Sequence, residues 1–161
     1  MSAFIGYSIV LGVVATALID LWALLLRRAT GIPMTNWGMA GRWLRGVAKG
    51  RWMLDTTDKR PPSVGEKILG WIFHYGVGIA YGAALLAICG MDYLQLPRFL
   101  PALIVGLVTV TAGWFIMMPG MGSGVFASKT PKPNHVRLRS LVTHTIFGIG
   151  LYLPAVLISR L

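Results

Sequence analysis

Four long apolar stretches constrain this chain more than any other feature of its sequence. They run from about residue 4 to 26, 68 to 89, 100 to 118 and 141 to 158. Each is roughly 18 to 23 residues long, and a helix of that length crosses about 30 Å of hydrocarbon. The sequence therefore predicts an all-α integral membrane protein: a four-helix bundle that forms one membrane domain over residues 1 to 161.

The composition agrees with a membrane protein and argues against a water-soluble globule. Apolar residues make up 55% of the chain and charged residues only 12%, whereas soluble domains carry about 25% charged residues. In a soluble protein the formal net charge of +10 would suggest a nucleic-acid partner. Here the basic residues fall between the apolar stretches, so we expect no nucleic-acid partner. The single cysteine, Cys89, excludes an intrachain disulfide and a multi-cysteine metal site.

The same basic residues predict the orientation of the spans. Thirteen of the fifteen Lys and Arg residues lie in two loops, about residues 27 to 67 and 119 to 140, and only Arg98 and Arg160 lie on the other side. The positive-inside rule then places both loops in the cytoplasm and both termini outside. We interpret the N-terminal stretch as a span rather than a signal peptide, because no basic residue precedes it and two arginines follow it.

The longer loop contains an amphipathic segment, near residues 37 to 53, that predicts a helix lying in the membrane interface. We expect its aromatic and basic side chains to contact the headgroups of anionic lipids. These side chains are Trp37, Arg42, Trp43, Arg45, Lys49 and Trp52. An amphipathic helix folded against the bundle is the alternative. Further along the loop, Ser63 and Glu66 have the spacing of a capping box for the second span.

A weak internal repeat relates the two halves of the chain. The second and fourth spans share a His-x3-Gly-Ile pattern, and the first and third spans share a fainter glycine match. The corresponding pairs are His74 and His144, Gly78 and Gly148, Ile79 and Ile149, and Gly12 and Gly106. The loop segments 37–42 and 123–129 are also comparable. Two hairpins related by an axis along the membrane normal would produce this pattern, and chance similarity among small-residue-rich spans is the alternative.

Two short motifs and a later histidine resemble a known family. They are Asn36-Trp37-x4-Arg42-Trp43, then Pro119-Gly120-Met121-Gly122-Ser123-Gly124 continuing into Ala127-Ser128-Lys129-Thr130-Pro131, and finally His144. Because of these motifs, the chain resembles a family of small bacterial inner-membrane proteins that is catalogued as a domain of unknown function. The resemblance covers nearly the whole chain. It implies a four-span protein of the bacterial inner membrane and supplies no activity.

Three ionisable side chains lie within the spans: Asp20, His74 and His144. From their spacing to the flanking basic residues, each lies about 8 to 10 Å inside the cytoplasmic boundary, on three different helices. A charge at the bilayer centre costs about 2.5 to 3.5 kcal/mol, so such groups usually face protein or water. We therefore predict that the three residues form one intramembrane polar cluster.

Several functions are compatible with this cluster. In a carrier or transport-accessory protein it would handle a proton or a metal ion, since a carboxylate and histidines exchange protons near neutral pH and are also metal ligands. In a b-type haem module for electron transfer, His74 and His144 would ligate the iron while Gly78 and Gly148 leave space for the macrocycle. In a structural or assembly subunit the three groups would only make hydrogen bonds.

No catalytic constellation is recognisable in the sequence, and an enzyme is not expected. No serine lies in a nucleophile-elbow context. Only one carboxylate, Asp20, lies within a span, so paired-carboxylate chemistry has no candidate. Glycine-rich helix faces predict a homodimer or membership of a larger membrane complex, with anionic lipids as further partners.

Overall fold

The protein is described by a computed structural model that covers all 161 residues. It contains helices and turns and no β-strand. The helices are α1 (Ser2–Thr30), α2 (Trp37–Val47), α3 (Val64–Cys89), α4 (Phe99–Gly120) and α5 (Pro133–Ile158). All except α2 are long and apolar enough to cross a membrane. The predicted all-α class with four span-like helices is therefore confirmed.

The long helices extend beyond the apolar stretches because the surrounding polar residues continue the helix. The clearest case is α5, which begins at Pro133, eight residues before the predicted stretch. Proline is favourable in the first helical position, since its missing N–H would have no partner there. Helix α4 is irregular near its end, where Gly113–Met117 forms a π-helical turn.

Helix α2 is shorter than the predicted interfacial helix and ends at Val47 instead of near residue 53. Gly50 adopts a left-handed conformation with φ of 76°, which favours glycine. The Gly50 N–H donates to the Val47 carbonyl and the Arg51 N–H to the Gly46 carbonyl, both at 2.9 Å. These two bonds form a Schellman motif, which terminates the helix and redirects the chain.

The chain forms two compact units. One unit, named here the bundle unit, comprises Met1–Met34, Tyr75–Val110 and Leu141–Leu161. The other, named here the basic unit, comprises Thr35–His74 and Thr111–Ser140. The basic unit carries eleven of the fifteen Lys and Arg residues.

The bundle unit is held together by an apolar core to which all four long helices contribute. The buried residues of this core are Leu11, Ala15, Leu85, Leu86, Tyr93, Leu94, Ala102, Phe147, Leu151 and Ala155. The outward faces are apolar as well. On α4, for example, Leu100, Ile104 and Val108 are spaced by four and at least half exposed. An exposed apolar stripe of this kind is typical of a surface that contacts lipid.

Paired glycines allow close helix contacts at corresponding places in the two halves of the bundle unit. A Cβ on Gly12 of α1 would overlap the backbone of Gly78 in α3. Likewise, a Cβ on Gly106 of α4 would lie 2.7 Å from Gly148 Cα in α5. Small residues permit such backbone approach between membrane helices. The four glycines matched in the predicted repeat therefore have the same structural use.

In the basic unit, α2 packs against the beginning of α3. There is no space for a side chain at Gly41 or Gly70, because a Cβ would overlap the backbone of Glu66 or the carbonyl of Trp37. The predicted repeat does not extend to the loops: segment 37–42 lies in α2, whereas segment 123–129 contains the short 3-10 turn Val125–Ala127.

The glycine-rich motif after Pro119 forms an ordered turn. The Ser123 N–H donates to the Met118 carbonyl at 2.8 Å, and the Lys129 N–H donates to the Ser123 carbonyl at 2.9 Å. Phe126 has φ of 56°, and its carbonyl accepts a 2.9 Å hydrogen bond from Arg137 Nε. The guanidinium of Arg137 also lies 4.2 Å from the Phe126 ring centroid. Arg137 therefore stabilises the strained left-handed turn.

Candidate functional site

Asp20 of α1 is partly buried, and its carboxylate is hydrogen-bonded to a residue of α3. The Tyr75 hydroxyl donates to Asp20 Oδ2 at 3.0 Å. Tyr75 directly follows His74 in the sequence, so Asp20 is linked to the helix that carries one of the two intramembrane histidines. Tyr75 was not predicted from the sequence, since nothing in the spacing marks this tyrosine as the partner of a carboxylate 55 residues away.

His74 is 7% exposed, and its ring is stacked on one aromatic side chain of the basic unit and lies near a second, tilted one. Its ring centroid lies 3.8 Å from that of Trp37 at an interplanar angle of 19°, and 5.7 Å from that of Trp71. One face of the Trp37 indole is thus covered by the imidazole, and the predicted contact of this partly exposed side chain with lipid headgroups stays a prediction. An indole face accommodates a neutral ring by stacking and a charged one by cation–π attraction.

His144 of α5 contacts α4 at the second glycine pair. Its Nδ1 lies 2.9 Å from Thr109 Oγ1 and 3.2 Å from the Gly106 carbonyl oxygen. The Thr109 hydroxyl donates its only hydrogen to that same carbonyl at 2.6 Å. Both oxygens near Nδ1 therefore act as acceptors, which assigns the proton of a neutral His144 to Nδ1. Thr109 is a second partner that sequence analysis missed.

The structure favours neither a metal centre nor a haem site. No group of three or more His, Cys, Asp or Glu side chains is arranged to hold a metal ion. The two glycines expected to leave space for a macrocycle face other helices. A Cβ on Gly78 would overlap the Thr16 hydroxyl, and one on Gly148 would lie 3.0 Å from the Ala102 carbonyl oxygen. The contacts between helices occupy the space that a haem would need beside these residues.

The convergence of Asp20, His74 and His144 on one cavity stays a prediction. Within the bundle unit, Asp20 bonds Tyr75, whereas His144 bonds Thr109 and Gly106. His74 belongs to the basic unit. The most extensive polar site of the basic unit is formed by charged groups of α2 and the loop before α3.

Arg42 is the centre of this polar network. Its Nε and Nη2 donate to the two carboxylate oxygens of Glu66, both at 3.2 Å. Its Nη2 also donates to the Pro61 carbonyl at 3.0 Å, and its Nη1 lies 3.6 Å from Asp58 Oδ2. The side chains of Arg42 and Glu66 are only 10% and 11% exposed. Arg42 therefore forms a bidentate pair inside the protein, which corrects its expected role as a headgroup contact.

Glu66 has a second role as part of the predicted capping box. The Glu66 N–H donates to Ser63 Oγ at 3.2 Å, and the Ser63 N–H donates to Glu66 Oε2 at 2.7 Å. These reciprocal bonds satisfy two N–H groups at the start of α3, so the predicted cap is confirmed. One carboxylate thus fixes both the start of α3 and the guanidinium of α2.

Of the other side chains predicted to contact headgroups, one is buried and three are exposed. Trp43 is 4% exposed, and its indole N–H donates to the Trp52 carbonyl at 2.7 Å, so it packs inside the protein rather than at the lipid surface. Arg45, Lys49 and Trp52 are exposed. Their contact with lipid headgroups stays a prediction.

Asp58, in the loop before α3, is the second carboxylate of this network and forms ion pairs with Arg42 and Arg60. Arg60 Nη2 donates to Asp58 Oδ2 at 2.7 Å. This hydrogen bond, with the Arg60 N–H and the charge of Arg42, holds the pKa of Asp58 well below its usual value of 3.8. The side chain is therefore ionised at neutral pH.

A comparison with known families identifies one match. The model of a family described as "Protein of unknown function (DUF2938)" matches residues 9–158. No curated protein and no solved structure matches the chain significantly.

Proposed function

We propose that this chain, which belongs to the DUF2938 family, transports protons or helps a partner protein to transport them. Its four apolar helices suggest a multi-pass membrane protein. The groups assigned to the proton are Asp20, His74 and His144. A metal ion is left out of the proposal because no group of three or more ligand side chains is arranged to hold one.

The hydrogen bond between Asp20 and Tyr75 carries this proposal. A phenol donates to an ionised carboxylate and accepts from a protonated carboxyl group, so the same pair survives either state of Asp20. The Trp37 ring stacked on His74 likewise suits both the neutral and the charged imidazole. A proton can therefore arrive and leave without reorganisation of the surrounding helices.

Proton flux into liposomes tests the carrier. The full chain would be reconstituted in liposomes that contain a pH-sensitive dye, with potassium and valinomycin to fix the membrane potential. We expect an external acid pulse to acidify these liposomes faster than empty ones, and D20N to abolish the difference. H135Q is the matched control, because His135 is exposed near the start of α5. A wild-type rate equal to that of empty liposomes would exclude a carrier that acts alone.

Histidine NMR tests the predicted cluster without a flux measurement. It therefore also applies if the protein only assists a partner that transports protons. The chain has only three histidines, so ring ¹⁵N signals in nanodiscs are assignable from H74Q, H135Q and H144Q. If the cluster exists, D20N changes the ring signals of His74 and His144 and leaves those of His135 unchanged. Unchanged signals at all three histidines would contradict the cluster.

We also propose a location in the bacterial inner membrane with both termini outside. The concentration of basic residues in the basic unit supports this orientation, because such residues are retained in the cytoplasm. Replacing Cys89 with alanine gives a cysteine-free background for labelling. Cysteines at Ser2 and Arg160 should react with an impermeant reagent outside, and cysteines at Lys49 and Lys132 should not. The opposite pattern would reverse the topology.

The contacts of His144 favour a second function, that of a structural or assembly subunit. Its bonds to Thr109 and Gly106 connect α4 to α5 and require no proton transfer. This alternative predicts a homodimer or a larger membrane complex with anionic lipids. Native mass spectrometry from nanodiscs tests it: a monomer with no co-purifying protein argues against assembly, and a stable complex that H144Q weakens supports it.

A further inference from the structure

The basic unit contains a polar cleft of about 420 Å³. This volume falls within the range of small-molecule pockets, which is about 300 to 1,000 Å³. Five basic and three acidic side chains line it: Arg42, Arg45, Lys49, Arg51, Arg60, Asp55, Asp58 and Glu66. The lining therefore carries a surplus of two positive charges.

The acidic side chains of the cleft are already committed to partners. Glu66 is held by Arg42 and Ser63, and Asp58 accepts from Arg60 at 2.7 Å. Asp55 accepts from the backbone N–H and the hydroxyl of Thr57, at 2.9 and 2.6 Å. These bonds keep the carboxylates in fixed places and leave part of the basic lining without a close counter-charge.

Three cations remain available in the cleft: Arg45, Lys49 and Arg51. Arg45 is 54% exposed, and its salt bridge to Glu66 is long, at 4.0 Å. Lys49 and Arg51 are exposed and make no salt bridge. Exposed cations that share one concave surface and have no close counter-charge repel each other unless an anion lies between them.

The backbone places these three residues around the same cleft. The Schellman motif at Gly50 turns the chain back, so that Arg51 lies beside Gly46. A Cβ on Gly46 would lie 3.9 Å from the Arg51 Cβ. Arg45 in α2 and Arg51 after the turn thus reach the same cleft together with Lys49. The bidentate Arg42–Glu66 pair forms a rigid part of its wall.

We propose that this cleft binds a phosphate monoester group through Arg45, Lys49 and Arg51. Such a group is close to a dianion at neutral pH, which matches the surplus of two positive charges. Its three terminal oxygens accept charge-assisted hydrogen bonds from guanidinium and ammonium groups. The same chemistry occurs in the headgroup of a lipid phosphomonoester and in a soluble phosphate ester. The proposal is independent of the proton function.

Binding to two probes tests the proposal and distinguishes the two sources. The full chain would be placed in phosphatidylcholine nanodiscs and titrated with glycerol 3-phosphate by calorimetry. In the second arm, phosphatidic acid would be included in the nanodiscs and its retention measured by native mass spectrometry against phosphatidylglycerol, a diester. We expect binding in at least one arm. Binding of glycerol 3-phosphate alone assigns a soluble ester, and preferential retention of phosphatidic acid alone assigns a lipid. Binding in neither arm overturns the proposal.

Matched variants separate the cleft from general electrostatic attraction. The triple variant R45Q/K49Q/R51Q removes three charges inside the cleft, and K129Q/K132Q/R139Q removes three charges outside its lining. We expect the cleft variant to bind at least about tenfold more weakly, as for the loss of one or more hydrogen bonds to a charged group. The control variant should bind as the wild type does.

An equal loss of affinity in both triple variants would overturn a defined site. The single variant R45Q covers the case in which the triple variant does not fold, because the Arg45 side chain is 54% exposed and makes no short contact. Weaker binding by R45Q with an unchanged thermal unfolding midpoint supports the site. Unchanged binding by R45Q, when the triple variant cannot be measured, counts against it.

Discussion

The bundle unit and the basic unit achieve their packing by different means. The bundle unit combines an apolar core with close glycine contacts between helices, and it contains no salt bridge. Two polar contacts join its helices, Asp20 with Tyr75 and His144 with Thr109. The basic unit also has a glycine contact, but its loop is ordered by ion pairs and hydrogen bonds around Arg42 and Glu66. The comparison teaches that apolar side chains and small residues can supply most of the contacts between long helices, whereas a polar loop needs charged and hydrogen-bonding partners at defined positions.

The largest effect should come from removing the carboxylate at the centre of the basic unit. E66A deprives Arg42 of its bidentate partner and also removes half of the capping box. With Arg42 only 10% exposed, we expect a loss of about 3 kcal/mol, close to the lower end for breaking a buried pair. Thermal or denaturant unfolding in detergent micelles, followed by tryptophan fluorescence, measures it.

E66Q is the control that separates the two roles of Glu66. Glutamine still accepts from the Ser63 N–H but carries no charge. The free energy of unfolding of E66Q should therefore lie between those of the wild type and E66A. If E66A and the wild type have the same free energy of unfolding, the basic unit does not depend on this network. The two units would then not differ in how they are stabilised.

Glycine substitutions should give the next largest effect, and in both units. G70A would force a methyl group onto the Trp37 carbonyl in the basic unit, and G106A would force one onto the His144 carbonyl and Gly148 in the bundle unit. We expect each to cost about 1 to 3 kcal/mol, as for overpacking elsewhere.

G76A on α3 is the matched control for both variants. Apart from its chain neighbours and the backbone of its own helix, no atom lies within 4 Å of the position a Cβ would take at Gly76. Alanine favours a helix over glycine by up to about 1 kcal/mol. G76A should therefore be neutral or stabilising. A destabilised G76A, together with a stable G70A, would contradict the packing described for α3.

The different character of the two units explains what the sequence could predict. Hydropathy and length predicted the four long helices, because burial in lipid requires an apolar run. The glycine pairs Gly12 with Gly78 and Gly106 with Gly148 fell at the matched positions of the repeat, since close contact leaves only small residues acceptable. The capping box was predictable because its two residues are three apart.

Contacts between distant residues were not predictable in the same way. Arg42 and Glu66 are 24 residues apart, and amphipathicity alone did not show that Arg42 faces a carboxylate instead of lipid. The same holds for Trp43, whose partners Trp52 and Gly120 come from other segments. Asp20, His74 and His144 were recognisable as candidates from hydropathy, but their partners Tyr75, Trp37 and Thr109 depend on tertiary packing.

A smaller effect is expected from a cap in the basic unit than from its charged network. S63A removes the hydroxyl that accepts from the Glu66 N–H, and we expect a loss of about 1 kcal/mol, typical of an N-cap. T145A in the bundle unit is the control, because the exposed Thr145 hydroxyl only bonds the Leu141 carbonyl of its own helix. If T145A is destabilised more than S63A, the cap at Ser63 stabilises the protein less than an exposed hydroxyl bond within one helix does, which contradicts this prediction.

The smallest effect should be a dependence of stability on acid pH that comes from Asp58 in the basic unit. The Arg60 guanidinium lowers the pKa of Asp58 below its usual value of 3.8. Because the folded pKa is below the unfolded one, Asp58 stabilises the fold fully above about pH 4, and this contribution is lost as the pH falls further. Wild type should thus unfold at a higher temperature than D58N at pH 7, and this difference in unfolding temperature should be smaller at pH 3.

R60Q removes the main donor to Asp58, so the difference in unfolding temperature between wild type and R60Q should also be smaller at pH 3 than at pH 7. A difference between wild type and D58N that stays constant from pH 7 to pH 3 would show that Arg60 does not hold the carboxylate in its ionised form.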